Sequence, residues 1–222
     1  MVQAATLQFL KNLAGNNHKD WFEANRSAYE TARQDFATLV QEVIDRHGKK
    51  DADIASLTAK ECIFRINRDV RFSKNKAPYK NNFGASIDRG GKKSIYAGYY
   101  IQLQPGDQSF LGGGLWMPEP ENLKKIRQEI DYCADEFKGI LHKKSFAGYY
   151  HDLEKSADTS LSRPPKGYDE ENPAIDYIKL KSFIAIRSIT DAEVLDKNFI
   201  SHVLKGFEAL HPLLQFLNRA LE

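Results

Sequence analysis

Residues 95–117 read IYAGYYIQLQPGDQSFLGGGLWM, and their alternation decides the fold class. Ile95, Ala97, Tyr99, Ile101 and Leu103 fall on one face; Tyr96, Gly98, Tyr100, Gln102 and Gln104 fall on the other. A period of two is what a strand with one buried face requires. Pro105-Gly106-Asp107 turns the chain, and Ser109 to Met117 is a further strand, broken by Gly112, Gly113 and Gly114. Upstream, Asn81 to Asp88 pairs next and ends in the hairpin turn Arg89-Gly90-Gly91-Lys92. Before that, Cys62, Phe64, Ile66, Val70 and Phe72 alternate with polar residues, which predicts a half-buried strand. Ser182 to Ile189 is read as the last strand.

Outside this centre the period becomes helical. Leu7, Leu10 and Leu13 share a face of a short helix that Gly15-Asn16-Asn17 stops. Tyr29, Ala32, Phe36, Leu39, Val40, Val43 and Ile44 stripe a helix running to about His47. Pro118 and Pro120 precede a helix with Leu123, Ile126, Ile130, Cys133 and Phe137 on one face. The segment from Lys143 to Tyr168 is less regular. Phe199, Val203, Phe207, Leu210, Leu214 and Leu217 stripe the last helix, where Pro212 predicts a kink or break near His211. Strands in the middle and helices at both ends predict an α+β fold, with a central, mainly antiparallel sheet and helices from the N- and C-terminal regions packed on it. The expected organisation is a single domain over 1–222, helical over about 1–50, sheet-rich over about 60–117 and helical again over about 119–222. The order is not βαβα, which disfavours a doubly wound nucleotide fold.

Composition narrows the function classes. With 41% apolar and 28% charged residues, and no run of the ~18–20 apolar residues a membrane span needs, the chain reads as neither a membrane protein nor a disordered one. The first residues carry no secretory signal, so a cytoplasmic location is expected. Cys62 and Cys133 form no disulfide framework. No two of the six histidines are four apart and none sits in an HExxH pattern, so no residue is assigned to a metal, and the sequence leaves metal use and any cofactor open. Gly112-Gly113-Gly114 is not a phosphate-binding loop, because no Gly-Lys-Ser/Thr follows; such glycines mark a bulge or close strand packing more often than a ligand site.

The net charge of +2 hides a concentration. Residues 65–80, RINRDVRFSKNKAPYK, hold Arg65, Arg68, Arg71, Lys74, Lys76 and Lys80 against one acid, Asp69, which leaves the other 206 residues net acidic. On a strand, Arg65, Asn67, Asp69 and Arg71 would share the outer face, with two forked donors suited to phosphate or carboxylate. Arg68 would fall on the apolar face, re-aimed by a bulge or paired in the interior. Charge on a sheet face is commonly solvated, yet six bases with one acid repel one another without an anion or opposing carboxylates. The expected ligand site is therefore Arg65, Arg68, Arg71, Lys74, Lys76, Tyr79, Lys80 and Trp116, with Asp69 as a weak candidate base. The ligand would be an anionic small molecule, a phosphate, nucleotide or carboxylate. A nucleic-acid module is the less favoured alternative, and a structural or interaction domain with internally paired arginines a third. The residues leave reaction, oligomeric state and enzymatic character open.

FRINRDVRFSKNKAPYKNNFGA (64–85), with NNHKDWFEANRSAYE (16–30) before it, resembles the bacterial and fungal domain-of-unknown-function family numbered 2461. The segments 98–131 and PPKGYDEENP (164–173) match it in order, so the resemblance spans about Phe9 to Phe183. Matching positions include Trp21, Phe22, Arg65, Arg68, Asp69, Arg71, Phe72, Lys74, Lys76, Pro78, Tyr79, Lys80, Gly114, Trp116, Pro118, Arg127 and Gly167-Tyr168. The family often has histidine where this chain has Asn172, so no acid–base role carries over there. The resemblance implies no activity, and its weight on basic and aromatic residues fits a site better than a core alone.

Overall fold

A computed structural model describes all residues, 1–222. The N-terminal helices are α1 (Ala4–Gly15), α2 (Lys19–Ala24), α3 (Arg26–His47) and α4 (Ala59–Cys62). The strands β1 (Phe83–Asp88), β2 (Gly98–Leu103) and β3 (Ser109–Leu115) follow. Four helices come next: α5 (Pro120–Tyr132), α6 (Ala134–His142), α7 (Lys144–Tyr150) and α8 (Ile175–Ile178). The chain closes with β4 (Phe183–Ile189), α9 (Asp191–Leu195) and α10 (Phe199–Arg219). The strands form one antiparallel sheet in the order β1-β2-β3-β4, so the fold is α+β as the alternation predicts. No helix is long and apolar enough to cross a membrane.

The chain divides into two compact units. The first comprises residues 1–93, 100–111 and 188–205. Its centre is α3, whose stripe Ala32, Phe36, Leu39, Val40, Val43 and Ile44 is buried and packs on α1, α4 and β1. Phe36 stacks on Phe83 of β1 at 5.6 Å between ring centroids. The second unit comprises residues 94–99, 112–187 and 206–222. Here Tyr99 stacks on Phe207 at 4.3 Å and Phe137 packs against Phe216 and Tyr177. Arg127 of α5 donates Nε to the Ile178 carbonyl (2.8 Å) and Nη2 to that of Leu180 (3.0 Å), bracing the chain ahead of β4.

Several local expectations need correction. Cys62–Phe72 is not a strand. Thr58 and Glu61 form a capping box that turns 59–62 into α4, and beyond it the chain keeps only single bridges, Ile63 to Ala85 and Asn67 to Tyr79. Ile66 stays buried, whereas Phe72 is 95% exposed. Ile95, expected on the core face, is 56% exposed, because β2 begins only at Gly98. The glycines do not break β3. A side chain at Gly112 would lie 2.5 Å from the Ala185 carbonyl and one at Gly113 2.5 Å from that of Gly98, so they permit tight strand packing. The helix of residues 120–142 is interrupted at Cys133. By contrast α10 runs unbroken through Pro212, its apolar stripe buried on both sides of the proline.

Candidate functional site

The basic segment 65–80 folds as a loop closed by its own hydrogen bonds. Arg68 N donates to Pro78 O (2.9 Å) and Lys80 N to Ile66 O (2.8 Å), bracketing the Asn67–Tyr79 bridge. The stem is fastened to the α1–α2 junction by one amide side chain. Asn17 Nδ2 donates to Tyr79 O at 2.9 Å, and Asn17 Oδ1 accepts from Tyr79 N at 3.0 Å. The Tyr79 ring is buried and stacks on Phe22, centroids 4.0 Å apart. Tyr79 thus anchors the loop from its underside.

Within the loop the charges serve the loop. The Arg68 guanidinium donates to Ala77 O (2.9 Å) and Ser73 Oγ (3.4 Å), and Lys76 Nζ donates to Val70 O (3.0 Å). These carbonyls have no sheet ladder to accept from; Arg68 supplies a donor to Ala77 O, and Lys76 adds one to Val70 O, which also accepts from Ser73 N at 3.3 Å. Arg71 and Asp69 form a two-pronged pair, Nε–Oδ1 3.0 Å and Nη2–Oδ2 2.7 Å. That pair lowers the Asp69 carboxyl below the usual aspartate range and makes it a weaker base. Lys74 stays exposed at the tip beside Phe72. Trp116, in the second unit, is 61% exposed just past β3.

Arg65 points elsewhere. With Phe64 it lines a groove of about 750 Å³ in the first unit, completed by Arg26, Tyr29, Glu30 and Arg33 of α3, Lys60 of α4, Ile63, and Lys92 and Lys93 from the turn after β1. Six cations therefore face one carboxylate. Positions 26, 29, 30 and 33 lie on one helical face, the i, i+3, i+4, i+7 pattern. Glu30 sits 3.9 Å from both Arg26 and Arg33, and Arg26 also pairs with Glu23 at 2.9 Å. Lys60, Arg65, Lys92 and Lys93 have no carboxylate within ion-pair distance; Lys92 Nζ donates to the Lys60 carbonyl at 2.9 Å. Lys80 lies against the groove wall, its Nζ 5.2 Å from the Phe64 ring centre, and burial with the nearby Arg65 charge lowers its affinity for a proton.

Of the residues singled out by sequence, Arg65 lines the groove and Lys80 backs it, Tyr79 supports the stem, and Arg68, Arg71, Lys74 and Lys76 belong to the loop. Arg26, Arg33, Lys60, Lys92 and Lys93 were missed. Their signal was the helical spacing of 26, 29, 30 and 33 and the lysine pair after a Gly-Gly turn, spread over 68 positions.

Fold and groove together define an α+β protein with a concave, cation-lined surface formed by α3, α4 and the turn after β1. The chain belongs to the family described as conserved hypothetical protein (DUF2461), whose model matches residues 5–216. No curated protein and no solved structure matches it.

Proposed function

We propose that the protein binds a phosphate-bearing anionic ligand in this groove. One observation carries the reading: six cations converge on a concavity whose one lining carboxylate, Glu30, faces Arg26 and Arg33, and Lys60, Arg65, Lys92 and Lys93 form no ion-pair contact there. Converging like charges raise the free energy of the empty site, and a polyanion relieves that repulsion. The Arg65 fork suits phosphate geometry and the lysines act as point charges. A volume of about 750 Å³ lies in the range of small-ligand sites, roughly 300–1,000 Å³. Tyr29 and Phe64 supply an apolar wall for an organic portion. The proton-transfer groups among the lining residues are Glu30, held between two arginines, and the half-buried Tyr29, whose phenol burial pushes up. Glu30 is engaged by both arginines and burial pushes the Tyr29 phenol away from neutrality, so binding rather than acid–base chemistry is the role assigned to the groove.

Thermal melts and calorimetric titrations with inorganic pyrophosphate at low salt test this. The wild type should bind saturably, and the double variant Arg65→Ala/Lys92→Ala should lose at least about tenfold in affinity, ~1.4 kcal/mol, while remaining folded at the titration temperature. Absence of saturable pyrophosphate binding by the wild type would overturn the reading.

A further inference from the structure

We infer that the anion is the backbone of a single-stranded nucleic acid, running from the groove onto the 66–80 loop, where Phe72 stacks on a base. This rests on the groove's reading as an anion site. Phe72 is 95% exposed, the most exposed of the large apolar side chains, and the loop holds it there. Arg68 and Lys76 tie the loop's carbonyls, Asp69 holds Arg71, and the Arg71 guanidinium lies 5.8 Å from the Phe72 ring centre. An aromatic presented to solvent by a braced basic loop has the form of a stacking platform, and every base offers a face to it.

The loop starts at the groove. Phe64 and Arg65 line the groove, Lys80 on the returning side lies over Phe64, and the Asn67–Tyr79 bridge closes the stem between them. From Asn67 to Phe72 the chain reaches at most about 17 Å. A single phosphorylated metabolite in the groove leaves Phe72 uncovered. A strand of about four nucleotides covers both, within the site sizes of single-strand binders. Lys60, Arg65, Lys92 and Lys93 would meet phosphates in the groove, and exposed Lys74 would meet one at the tip. A bilayer surface fits less well, because a flat surface cannot enter a concave groove and the loop tip offers one aromatic only. Near-zero net charge does not oppose the inference, since the local field governs encounter.

Fluorescence anisotropy of labelled 12-nucleotide DNA and RNA single strands, alongside pyrophosphate calorimetry, tests it. The wild type should bind a strand with log affinity falling against log salt at a slope of about −3.5, the value for phosphates neutralised by the four groove cations and Lys74 on a single strand. Phe72→Ala, at a position too exposed to affect folding, should weaken strand binding about tenfold and leave pyrophosphate binding unchanged; Phe72→Trp should restore it. Arg65→Ala/Lys92→Ala should weaken both. Pyrophosphate binding without strand binding would overturn this inference and leave the groove reading standing; failure of both ligands would remove both. Strand binding indifferent to Phe72→Ala, or Phe72-dependent binding to phosphatidylserine vesicles without strand binding, would also overturn it.

Discussion

Two basic regions of the first unit use charge in opposite ways. In the 66–80 loop, Arg68, Arg71 and Lys76 are close in sequence and are taken up locally, by Ala77 O, Asp69 and Val70 O. In the groove, Lys60, Arg65, Lys92 and Lys93 come from separate elements and have no carboxylate partner. The difference follows from backbone chemistry. An irregular loop carries carbonyls that no ladder satisfies, and long cationic side chains attached to that loop are the nearest donors. Charges brought together by tertiary packing are taken up less: Lys92 donates to the Lys60 carbonyl at 2.9 Å, whereas Lys60, Arg65 and Lys93 come from separate segments and fold back on no carbonyl of their own. In this chain, charge density along the sequence locates a braced loop, whereas the groove's charges are gathered by packing.

Asp69 in the loop and Asp88 at the end of β1, before the turn that carries two groove lysines, differ as well, and pH separates them with the largest expected effect. Asp69 is exposed, paired and lowered. Asp88, at the end of β1 below the turn that carries Lys92 and Lys93, is only 7% exposed, and its carboxylate oxygens accept only from the Ser86 hydroxyl, at 2.9 Å. Burial pushes Asp88 up to about 7, against an unfolded value of about 3.9. Between these values the folded chain holds a proton that the unfolded chain has released. The Asp88 contribution to stability is thus fully present below about pH 4 and is lost as pH rises towards 7. The difference corresponds to about 4 kcal/mol. Urea denaturation of wild type and Asp88→Asn from pH 5 to 8 should show the variant gaining on the wild type as pH rises. A difference independent of pH would mean that the groove turn does not rest on a protonated acid.

The same contrast explains what was legible in the sequence. The helical stripes of α3 and α10 and the alternation through Tyr99, Ile101 and Leu103 each report one buried face, and burial dictated them. Even Pro212 yielded to it: an interior proline costs about 3 kcal/mol, and the buried Phe207, Leu210, Leu213, Leu214 and Leu217 around it outweigh that. Alternation failed past Ile66, where turn chemistry was stronger. Asp69 accepts from the Arg71 amide and Asn75 from the Ala77 amide, two side-chain turns that compete with strand pairing. Only Arg65 of the groove's cations fell inside the basic segment, because the others are neighbours through packing alone.

Arg68→Met is the next test. Removing the guanidinium leaves Ala77 O and Ser73 without that donor, and charged hydrogen bonds of this kind contribute about 1.5–3 kcal/mol. The variant should lose stability by about that amount in urea denaturation, yet bind pyrophosphate normally well below its melting temperature. Unchanged stability with lost binding would place Arg68 in the ligand site and dissolve the distinction between loop and groove.

Arg71→Ala carries the smallest effect and addresses the distinction most directly. Both partners of the Asp69–Arg71 pair are exposed, and exposed pairs contribute little to stability, so the melting temperature and pyrophosphate affinity should not change. What should change is Asp69. With the guanidinium gone, the largest cause of its lowered proton affinity is removed, the Arg71 amide and the Arg65 charge remaining, and its carboxyl resonance in an NMR pH titration should shift its midpoint upward, towards the ordinary aspartate range. An upward shift means that Asp69 already neutralises the loop's most exposed arginine in solution, leaving the unpaired groove cations as the charges available to an anion. An unchanged midpoint would mean that Arg71 is free to reach a ligand, and the loop would then be as open to anions as the groove.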